Sequence, residues 1–186
     1  LGQAGGIAYQ TFLIPGVLGM TLLFGAMLAA LTMVYDKESG VMRMLIVAPF
    51  PHYWIVIAKM LAAALAAILQ AALLLVLLAL LGYIGADTRF DLLILGLVAT
   101  AAACAGIGML VAAFTRTLDN FAAIMNFVIF PVFFLSGSLY PIGQLPAALK
   151  TVALLNPYTY GVDLLKHATL GTLQSGMGAD FPAMVD

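Results

Sequence analysis

Four apolar runs, Phe12–Val34, Ile55–Leu81, Leu92–Phe114 and Phe121–Tyr140, dominate this chain. Each approaches or exceeds the ~20 residues that a helix needs to cross a hydrocarbon core of ~30 Å. Runs this long exceed any ordinary strand, and their Ala and Leu content favours helix. With 65% hydrophobic and only 8% charged residues in 186, too few polar side chains exist to coat a soluble domain. The pattern predicts an all-α fold, a polytopic membrane helical bundle with four visible spans at about 12–34, 55–81, 92–114 and 121–140.

The connections carry the charge. The first, 35–54, holds an island in which Asp36, Lys37, Glu38 and Arg43 crowd together. Lys37, Arg43 and Lys59 flank this connection and Arg116 lies in the third, against Arg89 alone in the second. The positive-inside rule therefore puts the first and third loops in the cytoplasm, although Lys150 and Lys166 in the tail subtract from the count. Four spans with that orientation leave both ends outside. The opening LGQAGGIAYQ has no signal-peptide pattern, and span parity leads to the expectation of a fragment, with further spans beyond each end. The net charge of −1 speaks against a nucleic-acid partner. The lone Cys104 can form neither an internal disulfide nor, by itself, a metal site.

Within the spans the only Asp, Glu, Lys or Arg is Lys59, close enough to its helix end to snorkel. Ion-coupled carriers need intramembrane carboxylates and voltage sensors need arginines, so driving energy must enter from elsewhere. Small residues recur as Gly25 and Ala29, as Ala63, Ala67 and Ala71, and as Ala102 and Gly106; such ridges serve packing within the chain or the seam of a homodimer. Gln70, Thr100 and Asn126 are read as interhelical hydrogen-bond partners. Phe127, Phe130 and Phe134, with Phe133 beside them, line one stripe that suits packing, lipid contact or an apolar pathway.

After the fourth span the tail reads as two short helices broken at Asn156-Pro157. The first, Leu145–Leu155, would cover only ~16 Å and cannot cross. A re-entrant extracytoplasmic segment over 141–171 satisfies this, as do two helices lying on the membrane surface. Asp163 and Lys166 are spaced for a local ion pair in either arrangement.

Some chemistries are excluded. No lysine follows a glycine, so a GxxxxGK[ST] phosphate loop cannot occur. Leu135–Ser138 reads LSGS but terminates a membrane helix. Ser136 or Ser138 with His167 leaves an intramembrane serine protease as an alternative, and a non-transporting membrane scaffold is another.

Two separated stretches together resemble ABC-2 type transporter permeases. In DKESGVMRMLIVAPFPHYWIVIAKM the order of Glu38, Gly40, Leu45, Pro49 and Lys59 is similar to the family's first cytoplasmic loop. In FFLSGSLYPIGQLPAALKTVALLNPYTYGVDLLKHATLG the Leu-Ser-Gly turn, Tyr-Pro, Leu-Pro half helix and Asn-Pro-Tyr-Thr-Tyr resemble its C-terminal pattern. PGVLG in the first span fits too; Val41 departs from the family's frequent Thr, and the family's first and sixth spans are missing. The resemblance implies the permease subunit of an ATP-driven exporter in a bacterial inner membrane, itself not an enzyme and binding no cofactor. Its implied partners are an ABC ATPase subunit, which would hold ATP and Mg, a second or paralogous permease, and the lipid bilayer. It also implies roles. Asp36, Lys37, Glu38, Gly40, Arg43, Leu45 and Pro49 would form the ATPase-coupling loop, with Met42, Leu45 and Ile46 filling a groove on the partner and the charges at its rim. Ser136, Gly137, Tyr140, Pro141, Pro146, Asn156, Pro157 and Tyr158 would form the outer gate.

Overall fold

A computed structural model of the chain describes residues 3–47, 51–82, 88–136, 153 and 155–170. Pro49, Gly137, Tyr140, Pro141 and Pro146 lie outside these. The described residues form helices joined by turns: α1 Gln3–Glu38, α2 Val41–Val47, α3 His52–Leu80, α4 Phe90–Phe114, α5 Leu118–Leu135 and α6 Pro157–Leu170. Four of them, within α1, α3, α4 and α5, are long and apolar enough to cross a membrane, so the chain is a multi-pass membrane protein. At 1.5 Å per residue, α4 covers about 37 Å, α5 about 27 Å and α6 only about 21 Å.

α1 is the central post. Leu18, Leu22, Leu23, Ala26, Met27 and Ala30 along it are fully buried. α3 touches the bundle through one narrow stripe, since its buried residues are Ala63, Ala67 and Ala71, while Leu61, Leu65, Leu69 and Leu73 face outward. The reason is backbone proximity: a Cβ on Gly25 of α1 would lie 3.3 Å from the Ala67 Cα and 2.5 Å from Gln70 Oε1. The small residues of α1 and α3 thus serve packing within the chain. On α4 it is Gly108, whose Cβ would lie 2.9 Å from the Ala30 Cβ of α1, that packs this way, not the expected pair, because Ala102 is exposed and a Cβ on Gly106 would meet nothing within 4 Å.

α6 lies against α1 and α4. The Arg89 N–H, just before α4, donates to the Ala168 carbonyl at 3.1 Å. Further along, Gly96 packs on Leu165 and Gly161 on Thr100. As α4 residues rise, their α6 partners fall, so the two helices are antiparallel. α6 therefore begins about 20 Å down α4 and climbs back to its first turn. Tyr158, Val162, Leu165 and Ala168 are fully buried by this packing.

Several boundaries move from the sequence reading. The first span runs on to Glu38 and carries Asp36 and Lys37 on helix, because those side chains find partners on other helices. Gly40, with φ +80, then breaks the chain before α2. α5 starts three residues before Phe121, where the Thr117 side chain accepts from the Asn120 N–H. Thr100 and Asn126, read as interhelical hydrogen-bond partners, bond within their own helices, Thr100 Oγ1 donating to the Gly96 carbonyl and Asn126 Nδ2 to the Ala122 carbonyl. Asp163 and Lys166, expected as a local pair, are both buried on α6, and His167 faces Asp163 at 3.5 Å. Of the phenylalanine stripe, Phe127, Phe130 and Phe134 point outward while Phe133 joins the core.

Candidate functional site

The last turn of α1 sends three consecutive charged side chains to three different helices. Asp36 pairs with Lys59 near the start of α3. Lys37 Nζ donates to the carbonyls of Ala112 at 2.7 Å and Ala113 at 2.9 Å, with Thr115 at 3.4 Å. Glu38 Oε2 accepts from the Leu118 N–H at 2.9 Å.

The last carbonyls of a helix lack intrahelical donors and carry partial negative charge, while the first N–H groups carry the opposite. Lys37 thus closes the C-terminus of α4 and Glu38 closes the N-terminus of α5, each with the favourable sign. Between the two ends lies only the turn Thr115–Thr117. Two adjacent residues of α1 therefore clamp both sides of one helix hairpin. Around them packs an apolar cluster rich in methionine: Met33 and Met109 are buried, with Met42, Met60 and Met125 against them and Phe121 fully enclosed. Thioether side chains repack with little strain.

α2 projects from this end. Met44 and Val47 are 78% and 85% exposed, and Val41 and Arg43 are exposed beside them. Met42 leans on the chain's own core and Leu45 is half-buried. Six of the seven residues of the proposed coupling loop are described, and they part ways. Asp36, Lys37 and Glu38 hold the bundle together, Gly40 supplies the bend, Leu45 is partly covered, and Arg43 remains outward. Composition and spacing had no means of separating these, because the island's charges look alike until their partners are placed. Val41, Met44 and Val47 form the exposed apolar face.

At the opposite ends of α5 and α6, Asn156 is the joint. Its Nδ2 donates to the Val132 carbonyl at 2.9 Å, in the last turn of α5, and its Oδ1 accepts from the Tyr158 N–H at 3.1 Å, in the first turn of α6. One amide caps two helix ends. Pro157 follows as the first residue of α6, where its missing N–H costs nothing. Ser136 is buried and its hydroxyl donates to the Phe133 carbonyl at 2.6 Å. Of the proposed outer gate, Ser136, Asn156, Pro157 and Tyr158 are thus seen, and the other four residues lie outside the described residues.

Comparison with known proteins fits this frame. The family model described as ABC-2 type transporter matches residues 2–170. The chain belongs to that family. Among curated ABC-2 relatives, Nodulation protein J of Rhizobium leguminosarum bv. trifolii is 30% identical over 174 residues, covering 92% of this chain and 66% of the relative. Its counterpart in R. leguminosarum bv. viciae is 28% identical over 176 residues, with the same coverage of both chains. The Inner membrane transport permease YadH of Escherichia coli (strain K12) is 26% identical over 172 residues, covering 92% and 67%. The chain thus spans about two thirds of the length of these relatives. No solved structure matches it.

Proposed function

We propose that this chain is the membrane-spanning part of an ATP-driven exporter permease, with α2 as the surface that receives motion from a separate ATPase subunit. The observation that carries the reading is the contrast at one end of the bundle. A short helix with an exposed face of Val41, Arg43, Met44 and Val47 hangs between two spans, while the charges beside it are committed to other helices of the same chain. Apolar side chains in a short helix suit a groove on a partner, and Arg43 sets register at its rim.

Membership of the ABC-2 family and the similarity to proteins named as transport permeases support this reading. In it, α2 and the turn Thr115–Thr117 face the cytoplasm of a bacterial inner membrane, and ATP and Mg are bound by the partner. Closure of two ATPases on ATP pushes α2, and α1 carries the push through the Lys37–Glu38 clamp to α4 and α5. The half-length α6, with the segment before it, dips into the membrane from the outer side and gates the exit. A second permease, identical or paralogous, completes the pathway. The charge-poor spans suit a lipid-linked, amphipathic, drug-like or polysaccharide cargo.

The test is co-purification of the full-length protein with a subunit bearing a phosphate-loop motif, in wild type and in Met44→Glu/Val47→Glu. These side chains touch little of their own chain, so the variant is expected to insert and fold normally while losing the ATPase. An ATPase retained at wild-type levels by the variant would refute the role of α2. Absence of any ATPase from the wild-type complex would refute the transport reading and favour the scaffold.

A further inference from the structure

Among the described residues at the α2 end of the bundle, four charged side chains have partners, while Arg43, Arg116 and exposed Asp119 have none. Lys59 is paired with Asp36, Lys37 is spent on the end of α4, and Glu38 on the start of α5. Among the described residues of that end, the guanidinium groups of Arg43 and Arg116 form no hydrogen bond or ion pair. Arg43 stands on α2, whereas Arg116 borders a cleft.

That cleft, about 280 Å³ in volume, is lined by Phe114, Thr115, Arg116, Asn120, Ala123 and Ile124. Its polarity is graded along the hairpin. At the turn and the first turn of α5 sit Arg116 and Asn120; further along the helices sit Phe114, Ala123 and Ile124. Thr115 is wall rather than donor, since its hydroxyl is bonded to the Val111 carbonyl. Asp119, on the same turn of α5, does not line the cleft. Exposed Tyr53 and Trp54 at the start of α3, their rings 5.6 Å apart, mark the interfacial layer at this end of the bundle, where aromatic side chains concentrate.

We propose that this cleft holds one phospholipid with an anionic headgroup. Its phosphate is gripped by the Arg116 guanidinium and the Asn120 amide, and the start of an acyl chain lies along Ala123 and Ile124. A planar guanidinium binds phosphate oxygens in pairs, and a basic site between spanning helices at headgroup level meets anionic lipid before any other phosphate. The apolar walls decide between a lipid and a free anion. Phosphate alone would meet only Arg116 and Asn120, whereas a lipid also lays its acyl chain along Phe114, Ala123 and Ile124, the apolar part of the same lining. The proposal does not depend on the transport reading, because it concerns only this hairpin at a membrane boundary.

The experiment is native mass spectrometry of the full-length protein, delipidated in mild detergent and titrated with phosphatidylglycerol, phosphatidylcholine or inorganic phosphate. Phosphatidylglycerol is expected to bind one per chain and phosphatidylcholine weakly, with no displacement by millimolar phosphate. Arg116→Gln should weaken phosphatidylglycerol about tenfold, the scale of one charge-assisted hydrogen bond, and Arg116→Lys should recover part of the loss. Arg89→Gln, the same loss of charge at the other end, should change nothing. Equal binding of the two lipids, or unchanged binding by Arg116→Gln, overturns the site. Displacement by phosphate, together with an unaltered affinity in Ile124→Ser, assigns a free anion and overturns the lipid.

Discussion

Replacing Lys37 by methionine removes the ammonium that closes the end of α4 while keeping the length and most of the volume of the side chain. Two of its contacts, at 2.7 and 2.9 Å, are good hydrogen bonds, and the third, at 3.4 Å, is marginal. A hydrogen bond from a charged donor contributes about 1.5–3 kcal/mol, and a cation at a partly buried helix C-terminus up to about 2 kcal/mol. These are not additive, since one ammonium makes all of them. Lysine also regains about 1.5–2 kcal/mol of side-chain entropy when released, and water reaches the half-buried site. The expected net loss is therefore about 2 kcal/mol of stability, read by chemical denaturation in mixed micelles. Lys37→Arg should retain most of it. Glu38→Gln keeps an acceptor for the Leu118 N–H but loses the charge, and should cost about 0.5–1 kcal/mol. Because both residues hold the same turn, the double variant should cost less than the sum of the two. A loss below about 0.5 kcal/mol for Lys37→Met, within the range of an ordinary surface change, would refute the clamp.

Asn156→Ala strips a cap from α5 and another from α6, and is expected to cost about 1–2 kcal/mol in the same unfolding assay, with Asn156→Asp recovering only the bond to the Tyr158 N–H. Gly161→Ala drives a Cβ into Thr100 of α4 and should destabilise by about 1–3 kcal/mol, partly rescued by Thr100→Ala; an unaffected midpoint would show that α6 does not pack there. For orientation, a cysteine at exposed Ser39 should react with impermeant thiol reagents only from the cytoplasmic side, and one at exposed Asp91 only from outside. The reverse labelling pattern would invert the proposed topology.

Span number and helix type were legible in the sequence because bilayer thickness imposes a length that no other element meets. The intramolecular seam of Ala63, Ala67 and Ala71 was legible as a ridge, but its partner at Gly25 was not, since every small residue on a helix looks equally able to receive a neighbour. Ala102 and Gly106 carry the same pattern and face away from the chain. The charged island misled in a related way. Grouped in sequence, Asp36, Lys37, Glu38 and Arg43 read as one surface, yet on a helix successive residues point about 100° apart. Three of them therefore reach three different helices and one is left outward. Met42, read as a groove filler, turns back to the core, while Val41, Met44 and Val47 are exposed instead.

The sequence by itself made this chain a helical membrane bundle and kept Asp, Glu and Arg out of its four long apolar runs, whereas only the structure shows Asp163 and Lys166 of α6 buried within the bundle. Tertiary structure alone decided what the charges do. A lysine or glutamate is worth what its partner makes of it, and the partners of Lys37 and Glu38 are backbone groups 75 to 80 residues away. No local pattern encodes which helix end will arrive beside a given side chain. In this bundle the ends of α4 and α5 arrive beside the last turn of α1, and a charged interruption becomes the tie between the chain's exposed helix and its spans.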